Sequence, residues 1–266
     1  MRNGKALSYK YLLFMACGWL MLMFMGAADA GSEGANWLDN LWAQIDFNLI
    51  QGERYKMILE GLGVTLRVSI IAAIIGFFLG TVLALMRLSN LRIGKWYPLR
   101  SLASIYVDVI RGTPVVVQLY IMYFIIMLNV SNKVLVGFIT FGLNSAAYVS
   151  EIIRSGILAV DKGQTEAGRS LGLSSFMTLR LIVLPQMIKI ALPSLLNEII
   201  ALLKETSVLG MIGLMDLAKS GDFVRSRTFS PSVPLFTVAL IYLAMVTILS
   251  NVFRKVEGRL RASDLR

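Results

Sequence analysis

The chain predicts an all-α integral membrane protein with five core helices, and three observations carry that prediction. Of its 266 residues, 56% are hydrophobic and only 16% charged, with a mean hydropathy of +0.70, beyond what a soluble globular domain carries. Several apolar runs are long enough to cross ~30 Å of hydrocarbon at ~1.5 Å per residue, and none alternates with the period of two of a membrane barrel. The basic residues behind the net charge of +10 flank these runs instead of clustering with aromatics on one polar segment, so they read as topology signals and not as a nucleic-acid footprint.

The elements follow in order. Residues 1–30 place Arg2, Lys5 and Lys10 before an apolar core from Tyr11 to Gly26 and end in Ala28-Asp29-Ala30, the pattern of a signal peptide or of an uncleaved N-terminal helix. Over residues 31–56, Trp37, Leu38, Leu41, Trp42 and Ile45 recur at helical spacing opposite Asp39, Asn40 and Asp46. This predicts an extracytoplasmic helix lying at headgroup level or packed on the next span.

A membrane domain over 57–252 follows. Its first span runs from about Met57 to Met86, with Gly76 and Gly80 at small-xxx-small spacing, which lets helix backbones approach. The second span, ending near Leu128, is interrupted at Arg111-Gly112-Thr113-Pro114, because proline lacks an N–H and breaks or restarts a helix. The third covers about Val134 to Val160, the fourth about Pro185 to Leu203 and the fifth about Pro234 to Val252, before a basic tail at 253–266. Segments 87–100, 161–189 and 253–266 hold four, four and five Lys/Arg, against two, one and four at 31–56, 129–133 and 204–233. The bias predicts a cytoplasmic C-terminus and a cytoplasmic polar loop at about 161–185.

That loop contains the most specific signal, Gln164-Thr165-Glu166-Ala167-Gly168-Arg169-Ser170-Leu171-Gly172, followed by Ile182-Val183-Leu184-Pro185. It resembles the EAA loop of ABC importer permeases. The blocks Arg111 to Pro114 with Gln118, Tyr148 to Ile157 (YVSEIIRSGI) and Lys204 to Leu209 (KETSVL) resemble the polar amino-acid uptake branch. The likeness covers roughly residues 55–255. It implies the type I importer fold in a bacterial cytoplasmic (inner) membrane, and a homodimer or a similar permease alongside. It also implies two ABC ATPase subunits inside, a substrate-binding protein outside, a polar amino-acid substrate, and membrane lipid as surroundings. One departure is Gly168, where the family often has Ala, at a cost of ~1 kcal/mol of helix propensity.

The resemblance assigns ATPase coupling to Gln164, Glu166, Ala167, Gly168, Arg169, Leu171 and Gly172. Leu171, Leu173 and Met177 can form an apolar face, and Gly172 can take the positive φ of a sharp turn. Glu166 reads as a charged anchor, or as an acid favoured by a helix N-terminus.

Candidate pathway residues are Arg111, Thr113, Gln118, Tyr148, Glu151, Asn197, Lys204 and Thr206. Glu151, read as lying at mid-membrane, must face the interior; it meets either a substrate cation or Arg154 at i+3. Arg111 and Thr113 at the break either present donors to a carboxylate or form a hinge. Glu198 can pair with another helix.

The chain has no His and a single Cys, Cys17, which leaves neither a disulfide nor an ordinary zinc site. It has no G-x-x-x-x-G-K-[ST] phosphate loop, so no cofactor is expected and ATP hydrolysis falls to a partner. The alternative is an ion-coupled secondary amino-acid transporter, which leaves the loop without a purpose. A membrane-embedded enzyme lacks histidine bases and a convincing serine nucleophile.

Overall fold

The computed structural model describes residues 37–262; the expected signal peptide or extra helix at 1–30 lies outside them. Helix α1 (Trp37–Ile45) continues through a π-turn, Asp46–Ile50, and a tight corner at Gly52 and Glu53, both at positive φ, into α2 (Arg54–Leu88). The helix predicted from the tryptophan spacing is therefore present. It is tied down by Asn48, which is buried and donates to the Gln44 carbonyl (2.8 Å) and Ser230 Oγ (3.3 Å).

Next come α3 (Pro98–Gly112) and α4 (Val115–Ile121), the latter extended by a π-turn to Ile126. They meet at 107°. The corner falls on Thr113 and Pro114, the interruption expected from the missing proline N–H. Helix α5 (Lys133–Leu158) starts on Asn132, whose side chain accepts from the Val134 and Leu135 N–H groups. A short helix, α6 (Lys162–Ser170), then leads to α7 (Ser175–Thr178), a π-turn Leu179–Val183 and α8 (Leu184–Glu205).

The fourth span thus differs from expectation: it begins at Ser175 and not at Pro185. The π-turn shifts the hydrogen-bond register just before Pro185, so the chain passes a residue that has no N–H to give without ending the helix. A 3-10 turn (Thr206–Ile212), α9 (Leu217–Thr228) and α10 (Ser232–Ala262) complete the described chain. Helix α9 was not foreseen in the 204–233 segment. Among the described residues, four helical stretches are long and apolar enough to cross a membrane, or five if the bent α3–α4 pair counts as one.

Helices α2 and α5 form the most extensive pairing. A Cβ at Gly76 would lie 2.8 Å from Ser145 Cβ, and one at Gly80 would lie 2.8 Å from the Ala146 carbonyl oxygen. The small residues therefore let the two backbones touch, and dispersion supplies the association that lipid does not. Around this seam, Val68, Leu119, Phe141, Leu202 and Leu209 make one core. A second core, of Ala84, Ile153, Val183 and Met187, joins the α7–α8 stretch to the ends of α2 and α5.

Candidate functional site

The polar loop is a short, capped helix held at one seam. Asp161 Oδ1 accepts from the Gly163 N–H (2.6 Å) to start α6. At its end the Leu171 N–H reaches the Ala167 carbonyl (3.0 Å) and the Leu173 N–H reaches the Gly168 carbonyl (3.1 Å). Gly172 has φ +84°, the left-handed turn its position requires. Ser174 opens the next helix by accepting from the Met177 N–H (3.2 Å).

The seam is Gly168. It is buried, and an added Cβ would meet Ile182 Cδ1 at 2.7 Å and Thr178 Cγ2 at 3.0 Å. The space that a side chain at this position would take is thus filled from the π-turn by Ile182. Sequence periodicity does not report such a contact, because the two residues belong to different helices.

The rest of the loop faces outward. Gln164, Glu166, Ala167, Arg169 and Leu171 are exposed; Leu171 is 82% and Phe176 69% accessible. Of the expected apolar face, Leu171 and Met177 are exposed, Leu173 is half-buried, and Phe176 adds to it. Glu166 is the fifth residue of α6, past the first turn, so the helix N-terminus gives it little help.

The pathway candidates fall into separate groups. Arg154 Nη2 and Arg87 Nη1 each lie 2.5 Å from a Glu151 carboxylate oxygen; Arg111 Nη1 is 3.9 Å away and its guanidinium sits 5.4 Å from the centroid of the Tyr148 ring. The i+3 pair was legible; Arg87, one residue before the end of α2, was read as a flanking charge. Glu151 lies two turns from the end of α5, and the cluster sits toward the ends of α2 and α5 that lead into the polar loops. Three guanidiniums surround one carboxylate, so the cluster is net positive.

At the corner, Gln118 Nε2 donates to the Ile110 carbonyl (2.7 Å), the Thr113 carbonyl (3.0 Å) and Thr113 Oγ1 (2.9 Å), while Asn144 Nδ2 donates to Gln118 Oε1 (3.0 Å). These bonds satisfy carbonyls freed by the break. Asn144 was not picked out by the sequence, having no motif around it.

Thr206 is fully buried, 3.2 Å from Ser69 Oγ and donating to the Leu203 carbonyl (2.9 Å), which places it in the core. Asn197 and Lys204 are exposed on α8. Glu198 accepts from Ser145 Oγ (2.9 Å), the interhelical partner expected for it. No group of three or more His, Cys, Asp or Glu able to hold a metal occurs among the described residues.

The described residues form an all-α bundle of four or five apolar spans with a short exposed polar helix between two of them. Residues 76–262 match the model of binding-protein-dependent transport system inner membrane components. The chain belongs to that family. It is similar to a putative glutamine transport system permease protein GlnP of Rickettsia bellii (strain RML369-C), with 42% identity over 209 residues, 77% of this chain and 94% of the relative. It is also similar to the arginine transport system permease protein ArtQ of Bacillus subtilis (strain 168), with 40% identity over 216 residues, 78% and 94% of the two chains.

Among solved structures, an amino acid ABC transporter with histidines superposes with a TM-score of 0.72 at 35% identity, covering 85% of this permease and all of that chain. The MetNI methionine ABC transporter in an inward-facing conformation, at 16% identity and a TM-score of 0.66, shares the fold.

Proposed function

We propose that this permease is the membrane-spanning subunit of an ATP-driven, binding-protein-dependent importer of polar amino acids. Two copies, or one beside a similar permease, form the pathway. Two ATPase subunits dock on the cytoplasmic loops, and an extracytoplasmic binding protein delivers substrate. The observation that carries the reading is the loop. Its helix is capped by Asp161, it packs inward through Gly168 on Ile182 and Thr178 and through Gln164 near Gln186 (3.4 Å), and Glu166, Leu171 and Phe176 stay exposed.

Mechanism follows from that placement. Closure of the ATPases draws two loops together; because α6 packs on the π-turn whose Val183 belongs to the same core as Ile153 and Ala84, displacement of the loop tilts α8 against α2 and α5. The pathway then alternates between the binding protein and the cytosol, with no covalent step on this chain. The C-terminus is cytoplasmic, in agreement with the Lys/Arg bias. The relatives named for glutamine and arginine, and the transporter solved with histidines, support polar amino acids as substrates.

The test is reconstitution. Vesicles holding the permease with its ATPase should take up glutamine or arginine only with ATP inside the ATPase-facing compartment and the loaded binding protein opposite. Uptake by the permease alone, driven by an ion gradient, would overturn the reading in favour of secondary transport.

A further inference from the structure

A cavity of about 230 Å³ lies beside the ion cluster, where the end of α2, the start of α3 and the end of α5 converge. Its polar lining comes from Arg87, Asn90, Arg100, Ser104 and Arg154. Three guanidiniums, an amide and a hydroxyl converge there, and no carboxylate lines it.

Glu151 does not satisfy this set. It takes one Nη of Arg87 and the Nε and Nη2 of Arg154, leaving other donors of both groups free of it. Arg87, with a side chain only 13% exposed, has its Nε buried without an acceptor. Arg100 has no acidic partner among the described residues. The cavity calls for an anion with several acceptor oxygens, and guanidinium forks match phosphate in geometry.

The surroundings say which phosphate. Leu88 and Leu158 complete the lining; Leu102 and Ile105 of α3 and Leu91 in the connection between α2 and α3 are exposed close by in sequence. A charged head in the cavity would thus have apolar surface beside it for acyl chains, at the depth where spans end. Basic pockets between spanning helices are suited to anionic headgroups.

We propose that this cavity binds the phosphate of an anionic phospholipid headgroup, seated on Arg87, Arg100 and Arg154. The lipid stitches α3 to the ends of α2 and α5 beside the loop. Which leaflet supplies the lipid rests on the orientation proposed above; the ligand chemistry does not.

The experiment uses the full-length permease, purified in detergent and stripped of lipid, with binding read by thermal stabilisation on titration. The probes are short-chain phosphatidylglycerol, short-chain phosphatidylcholine and inorganic phosphate. Wild type should bind phosphatidylglycerol well ahead of the other two. Arg100→Gln, which removes no internal ion pair, should weaken that binding about five- to tenfold, from ~1 kcal/mol per arginine near an anionic surface. Arg92→Gln, whose guanidinium bonds the Gly94 carbonyl outside the cavity, should leave it unchanged. Should Arg100→Gln not accumulate, Arg100→Lys is read instead, and it should weaken binding by losing the fork while keeping the charge. Equal binding of phosphatidylglycerol by wild type and the Arg100 variant overturns the site. Saturation by inorganic phosphate at the same concentration as phosphatidylglycerol overturns the lipid and assigns a free anion.

Discussion

The seam between α2 and α5 and the loop from Asp161 to Ser174 use glycine for opposite ends. At Gly76 and Gly80 the missing Cβ brings two long helices together, against Ser145 Cβ at the first and the Ala146 carbonyl and Val149 Cβ at the second. At Gly168 the space is filled by the far end of Ile182, a flexible tip, and at Gly172 nothing lies within 4 Å. The bundle is therefore intolerant of added volume where it is closed, whereas in the loop Gly168 has side-chain atoms to displace and Gly172 is fixed by its positive φ and not by neighbours. Rigidity belongs to one region, and the docking proposed above falls to the other.

The largest effect should come from breaking the seam. Gly80→Leu forces a side chain into space already occupied at 2.8 Å and should cost more than the ~1–3 kcal/mol of ordinary overpacking, so the purified variant should melt far below wild type or fail to accumulate in the membrane.

Glu151→Gln comes next. It leaves Arg87 and Arg154 facing a neutral group; since Glu151 and Arg154 remain about a quarter exposed, the loss should be about 1–2 kcal/mol and not the 3–5 of a fully buried broken pair. A melting curve in detergent measures it. An unchanged curve would show that water already satisfies the cluster.

A pH titration sharpens the picture at the bundle's far end. Asp216, buried, caps α9 by accepting from the Lys219 N–H (3.0 Å), and its other oxygen is unpaired. Burial pushes its pKa up from 3.8 to about 6. The folded chain therefore holds this proton more tightly than the unfolded chain, and stability falls as pH rises between about 4 and 6, then levels, by on the order of 2–3 kcal/mol. Asp216→Asn keeps the capping oxygen and should melt higher than wild type at pH 7.5, by about half as much at pH 5, and no higher below about pH 4.

Gly168→Ala should have the smallest effect, within about 1 kcal/mol. The helix propensity gained is of that size, and it is offset by the shifts that Ile182 Cδ1 at 2.7 Å and Thr178 Cγ2 at 3.0 Å must make to admit the methyl.

The comparison also explains what the sequence could report. Apolar length, the Pro114 break, the Gly172 turn and the Glu151–Arg154 spacing are local, so they were legible and appear where expected. Arg87 at Glu151, Asn144 at Gln118, Asn48 at Ser230 and Ile182 at Gly168 join residues far apart in the chain, and no periodicity marks them. The start of the fourth span was misplaced because a proline reads as a boundary, whereas a π-turn lets the helix continue past it.

The account rests on the loop being the grip of a separate motor, and co-purification tests that directly. Leu171→Asp combined with Glu166→Lys alters only exposed side chains, so the permease should fold and melt within about 0.5 kcal/mol of wild type while the ATPase no longer co-purifies. Retention of the ATPase at the wild-type ratio by that variant would contradict the account.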